Sequence, residues 1–106
     1  MSRSPRRIQF VKGSYAGTVN GSVSGSTVVD YVLRARADQM MTVTLSASES
    51  PAYFVVVDDG DAMSEAVTDW SGELPYSGDY HIRVFLSGED AVAEARASYA
   101  LLIEIR

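Results

Sequence analysis

Leu74-Pro75-Tyr76-Ser77-Gly78-Asp79-Tyr80-His81-Ile82-Arg83-Val84-Phe85-Leu86 is the stretch that decides the fold of this chain. Pro, Ser, Gly and Asp build a tight turn, and it runs directly into a segment where Tyr80, Ile82, Val84 and Leu86 recur with period two. That period puts the four side chains on one face of a strand. The segment reads as a turn followed by a strand with one buried face.

Working outward, the same alternation returns almost everywhere. Downstream, Ser87-Gly88-Glu89-Asp90 opens a loop, Ala91 to Ala97 has local helix propensity, and Tyr99, Leu101, Ile103 and Ile105 form a last strand. Upstream, Ser71-Gly72 reads as a turn. Residues 62–73 admit one helical turn over 62–67 or a short edge strand over 66–70. Asp58 to Asp61 is a loop, and the continuous apolar run Tyr53–Val57 predicts a central, fully buried strand. Val29–Ala35 and Met41–Ala47 alternate on either side of Ala37-Asp38-Gln39 and read as a hairpin. Glycines 13, 17, 21 and 25 would share one strand face, where a large side chain can approach closely. Asn20-Gly21 is a hairpin signal inside that strand, which predicts a bulge near Gly21. Ile8 and Phe10 open a short first strand. Seven to eight short strands with turn signals about every 8–12 residues predict an all-β fold, an antiparallel β-sandwich.

The 106 residues suit one domain: a flexible basic segment over 1–7, then a single sandwich over 8–106. The chain has no cysteine, which removes thiol catalysis, disulfides and thiolate metal sites. Beyond residue 12 it carries five basic and fourteen acidic groups, a net −9. Such a surface repels nucleic acid and anionic membranes and steers toward a basic protein partner. No apolar run reaches the ~18 residues that would span a bilayer, so membrane insertion is not expected. The start has a basic flank with no apolar run behind it, so it is not an intact signal peptide.

Catalytic chemistry finds little support. His81 is the only histidine, it alternates outward between core positions, and no G-x-S-x-G elbow accompanies it. Asp58, Asp59, Asp61 and Glu65 form a candidate calcium loop, although their spacing is not that of an EF-hand. No cofactor is called for. Trp70 offers either a sugar-stacking platform or core packing.

With Asp30-Tyr31-Val32-Leu33-Arg34-Ala35, Met40 to Leu45, Tyr53-Phe54, Leu74 to Val84 and Tyr99-Ala100-Leu101 in order, the chain resembles the bacterial periplasmic inhibitors of g-type lysozyme. Their fold is similar to the pre-peptidase C-terminal domain, and the resemblance covers residues 8–105. It implies a protein that is not an enzyme, is periplasmic or secreted with its signal peptide removed, and blocks a lysozyme cleft with loops at one end of the sandwich. Related inhibitors use a Ser-Gly-x-(x)-Tyr turn, matched here by Ser77, Gly78 and Tyr80. A Ser hydroxyl and a Tyr phenol can hydrogen-bond catalytic carboxylates without bringing a charge that must be desolvated. The family tends to carry an arginine-rich loop after the Tyr80 strand. This chain instead has Glu89, Asp90 and Glu94 there, with Arg96 its one basic residue. Three acids facing catalytic carboxylates would repel them.

The partner-binding candidates are therefore Tyr76, Ser77, Gly78, Asp79 and Tyr80, with Glu89, Asp90 and Arg96 from the following loop. Tyr80 has a second reading. It shares a face with Ile82 and Val84, so its ring suits the core and its hydroxyl a nearby backbone group, as in a tyrosine corner. Ser77 and Asp79 also have turn-forming duties, and nothing in the pattern buries Tyr76. The alternative function is a pre-peptidase-like accessory domain that binds polysaccharide or calcium. The sequence admits a monomer or a homodimer.

Overall fold

The computed structural model describes residues 6–7, 16–25, 27–48, 52–58, 61–86 and 95–106. Among these residues nine strands follow in order: β1 (Arg6–Arg7), β2 (Ala16–Ser24), β3 (Val29–Ala35), β4 (Met40–Ser48), β5 (Ala52–Asp58), β6 (Asp61–Ala62), β7 (Asp69–Glu73), β8 (Gly78–Leu86) and β9 (Arg96–Ile105). No helix occurs among the described residues. One sheet runs β1-β3-β8-β5-β6 and the other β2-β9-β4-β7. Every pairing among the described residues is antiparallel except β1 on β3. The expected all-β sandwich forms, with seven longer strands and two-residue additions at β1 and β6. Arg6 and Arg7, expected in the flexible segment, pair with Tyr31 and Val32.

The segment that decided the fold sits where its pattern demands. Tyr80, Ile82, Val84 and Leu86 of β8 are all buried, in the middle strand of the first sheet. Across from them lie Met41, Val43, Leu101 and Ile103 of the second sheet, each fully buried. Each such side chain contributes about 1.5–3 kcal/mol by leaving water. Tyr31 of β3 and Tyr99 of β9 meet edge to face between the sheets, with ring centres 6.5 Å apart. Gly21, opposite Tyr99 on β2, leaves room for both hydroxyls: a methyl group there would lie 2.7 Å from one phenolic oxygen and 3.1 Å from the other. The close approach expected at the glycine face is realised at this position.

Several expectations are corrected. Val29–Ala35 and Met41–Ala47 are not a hairpin: β3 pairs with β8, β4 pairs with β9 and β7, and the two strands lie in different sheets. The turn between them, with Asp38 at φ 70°, closes on itself through the Gln39 N–H to the Arg36 carbonyl at 3.3 Å and also bonds by its backbone to Leu74, in place of a ladder between the two arms. Asn20-Gly21 makes neither turn nor bulge, because β2 pairs with β9 residue for residue from Ala16 to Ser24. The turn comes at Gly25, at φ 56°. β5 lies beside the sheet's centre and is not fully buried, since Tyr53 and Val55 point to the outer face and are half-buried. Ser71-Gly72 lies inside β7, and no helical turn forms over 62–67, where Val67 bridges to Phe54. The first strand expected at Ile8 and Phe10, and the whole segment 87–94, lie outside the described residues; of the run Ala91–Ala97 with helix propensity, Arg96 and Ala97 open β9 as strand.

Candidate functional site

The turn that precedes β8 is clamped from both sides. Inside it, the Tyr80 hydroxyl donates to the Tyr76 carbonyl at 2.6 Å and accepts from the Tyr76 N–H at 3.2 Å. The Tyr80 ring is fully buried and packs on the Tyr76 ring at 4.9 Å between centres. Tyr80 therefore plays the tyrosine-corner role, and its side chain is withdrawn from any partner. The Tyr76 hydroxyl donates to the Asp79 carbonyl at 3.0 Å, and its ring covers Gly78, where a methyl group would lie 2.7 Å from it. Tyr76, expected to be free of burial, is half-buried and packed against the core.

From outside, the turn over Arg36–Gln39 braces it. The Asp38 N–H donates to the Leu74 carbonyl and the Leu74 N–H to the Gln39 carbonyl, both at 2.8 Å. The Ala37 N–H donates to Ser77 Oγ at 2.9 Å. Ser77 is exposed. Its oxygen is committed as an acceptor, and its O–H remains able to donate outward, because a hydroxyl carries one donor and two acceptor sites. The two turns thus present a hydroxyl on a stiff support, with little ordering entropy left to lose on binding.

Asp79 sits at the start of β8, opposite Arg34 in the β3 register. Arg34 and Arg36 are both exposed at this end of the sandwich. Strand alternation alone absorbs both arginines as outward positions of the run from Val29, with Arg34 in β3 and Arg36 just past its end. The turn contact with Ser77, forty residues away in sequence, brings them beside the candidate site.

The other candidates fall elsewhere. Arg96 opens β9 opposite Ser24, at the end of the sandwich away from Ser77. Leu86 and Ala95, which flank the segment 87–94, lie at that same far end, and β8 puts about 27 Å between its first and last residues. Glu89 and Asp90 lie outside the described residues. The grouping of Arg96 with Tyr76–Tyr80 into one surface is therefore not formed. Among the described residues, which include Asp58 and Glu65 but not the Asp61 side chain, no three His, Cys, Asp or Glu side chains gather as metal ligands. Asp59 lies outside the described residues. His81 does not meet a nucleophile: its Nδ1 lies 3.1 Å from Asp30 Oδ1, and Arg83 Nε stands 3.7 Å from Asp30 Oδ2. Trp70 packs against the core with its ring over Gly72.

A scan of protein-family models and a search of curated proteins give no match. Solved structures do match over nearly the whole chain. Aeromonas hydrophila PliG, a periplasmic lysozyme inhibitor of g-type lysozyme, superposes with TM-score 0.89 at 30% identity, covering 97% of this chain and 96% of that one. Salmonella Typhimurium PliG superposes with TM-score 0.78 at 23% identity, covering 99% and 100%. A mutant of the Escherichia coli PliG gives 0.77 at 24%, covering 96% and 97%. The last two likenesses show the fold.

Proposed function

The chain belongs to the family of periplasmic inhibitors of g-type lysozyme, and from that premise we propose that it is a non-enzymatic inhibitor that seats the Ser77 turn in the cleft of such a lysozyme. The observation that carries this reading is the clamped, exposed Ser77: Oγ held by the Ala37 N–H, with its proton free to reach a carboxylate. In a cleft that water has left, a neutral donor satisfies a carboxylate at a lower desolvation cost than a buried cation. Tyr76 and Gly78 shape the turn, and Tyr80 holds it from beneath. Asp79 stands at its rim opposite Arg34. Arg34 and Arg36 stand at this end among the acids Asp38 and Asp79, so charge of both signs surrounds the turn and the neutral Ser77 hydroxyl carries the contact. Leu86 and Ala95, the described residues on either side of Glu89 and Asp90, lie at the far end of the sandwich from Ser77.

The alternative, an accessory domain binding polysaccharide or calcium, is not favoured by these relatives. Calorimetric titration of the protein into g-type lysozyme tests the proposal. It predicts one saturable contact, lost when Ser77 is replaced by a bulky residue such as Trp. Absence of binding to the wild-type protein would overturn it.

A further inference from the structure

Asn20 is the only asparagine in the chain, and a glycine follows it. The inhibitory contact does not use this pair, and its chemistry is specific. The backbone nitrogen of Gly21 can attack the side-chain carbonyl carbon of Asn20, closing a succinimide ring and expelling ammonia. Water then opens the ring. Opening at the side-chain carbonyl leaves aspartate; opening at the main-chain carbonyl leaves isoaspartate, in which the backbone runs through Cβ and is one carbon longer. Water is taken up, ammonia is released, and a neutral amide becomes a carboxylate. Glycine in second place favours the attack because it has no Cβ to hinder it.

The fold holds the attacking nitrogen out of reach. The Gly25 N–H donates to the Ala95 carbonyl at 2.9 Å, one step beyond the Ser24–Arg96 pair. Bonded and non-bonded pairs alternate along an antiparallel ladder, so Gly21 and Tyr99 form a bonded pair and the Gly21 N–H points to the Tyr99 carbonyl. The other side of β9 agrees. Arg106 exchanges backbone bonds with Met40, which gives the even-numbered residues of β9 to β4 and the odd-numbered ones, Tyr99 among them, to β2. Ring closure also needs the Asn20 ψ turned well away from the extended value of about +135° that an antiparallel strand holds. That turn would swing Gly21, which is pinned on its inner face by the buried Tyr31 and Tyr99, whose hydroxyls leave no room even for a methyl group. The tyrosine pair thus demands the glycine that makes Asn20 labile, and the same pair and ladder suppress the reaction.

We propose that Asn20 is a modification site closed by the fold: it converts to aspartate and isoaspartate when β2 leaves β9 and is preserved while the ladder stands. The product does not return to its place. Isoaspartate adds a backbone carbon within a strand that pairs residue for residue from Ala16 to Ser24, so the positions beyond it lose register and the buried Val23 misses the core. A reversible opening becomes an irreversible one, and the modified fraction records how often β2 has opened. The inference is independent of the lysozyme reading.

Peptide mass spectrometry of the full chain, held in mildly alkaline buffer with and without unfolding guanidinium chloride, tests the proposal. Asn20 should convert at least about tenfold more slowly in the folded chain, as befits a site that reacts only through opening. Val23→Ala removes buried contacts of β2 and should raise the rate in buffer, with circular dichroism checking that the fold is kept. On dilution from denaturant, the wild-type fraction that refolds should fall with time held unfolded, in step with conversion. Asn20→Ser has no amide to close on and should keep its yield. Conversion as fast in the folded chain as in denaturant would overturn the proposal. So would a Val23→Ala rate no higher than that of wild type, or a modified chain that refolds as well as Asn20→Ser does.

Discussion

The phenolic oxygens of Tyr31 and Tyr99 lie 2.6 Å apart, joining the two sheets through a hydrogen bond inside an otherwise apolar core. Either single replacement by Phe takes one hydroxyl from that pair and leaves the other in a buried site, at a cost of about 1–3 kcal/mol. Replacing both removes the mismatch, so the double variant is expected to lose less stability than the two single losses added together. Urea unfolding of the four proteins measures the coupling. Strict additivity would mean that the two hydroxyls do not depend on each other.

Gly21 and Gly78 make a matched pair of tests. A methyl group at either would lie 2.7 Å from a tyrosine atom. At Gly21 the obstacle is the buried Tyr31–Tyr99 pair, which has nowhere to go, so Gly21→Ala is expected to cost about 1–3 kcal/mol. At Gly78 the obstacle is the half-buried Tyr76 ring, which can swing outward, so Gly78→Ala should cost less than ~1 kcal/mol while disturbing the turn. Thermal unfolding should rank Gly21→Ala as the more damaging change. The reverse order would show that the Tyr76 ring is the more rigidly held.

Tyr80→Phe keeps the buried ring and deletes the hydroxyl that accepts from the Tyr76 N–H and donates to its carbonyl. A loss of about 1–2 kcal/mol is expected, since the Tyr76 backbone groups at the turn can still reach water. The loosened turn should also inhibit g-type lysozyme less well at temperatures where the variant is fully folded. Unchanged inhibition would show that the hydroxyl does not set the shape of the turn.

Neutralising the acidic segment separates the two ends of the sandwich. Glu89→Gln with Asp90→Asn is expected to change inhibition by less than about twofold, because the described residues that flank them, Leu86 and Ala95, lie at the far end from Ser77 and salt screens charges beyond a Debye length of ~8 Å. Inhibition that strengthens tenfold or more would place this segment in the contact.

The sandwich was legible because its strands are half-buried, and period-two burial is written directly into Tyr80–Leu86 and Tyr99–Ile105. Strand partners were not legible. Alternation says which way side chains face and nothing about which strand lies alongside. The arms around Ala37-Asp38-Gln39 look like a hairpin, yet they separate into two sheets because the turn spends its amides on Leu74 and Ser77. Asn20-Gly21 shows the same limit: a strong local turn signal yields to a nine-residue ladder with β9. At the site, the corner role of Tyr80 could be read from its shared face with Ile82 and Val84. The bracing of Ser77 could not, because it depends on a residue forty positions away. For the same reason the sequence does not show that Arg34 and Arg36 stand beside Ser77, or that Arg96 lies at the other end of the sandwich.

The most direct test of the account is titration of the protein and its Ser77→Trp variant into g-type lysozyme lysing bacterial cells, with c-type and i-type lysozymes alongside. The account predicts that the wild-type protein stops the g-type enzyme alone and that the folded variant loses at least tenfold in potency. A wild-type protein without effect on the g-type enzyme, or a Ser77→Trp variant as potent as wild type, would contradict it.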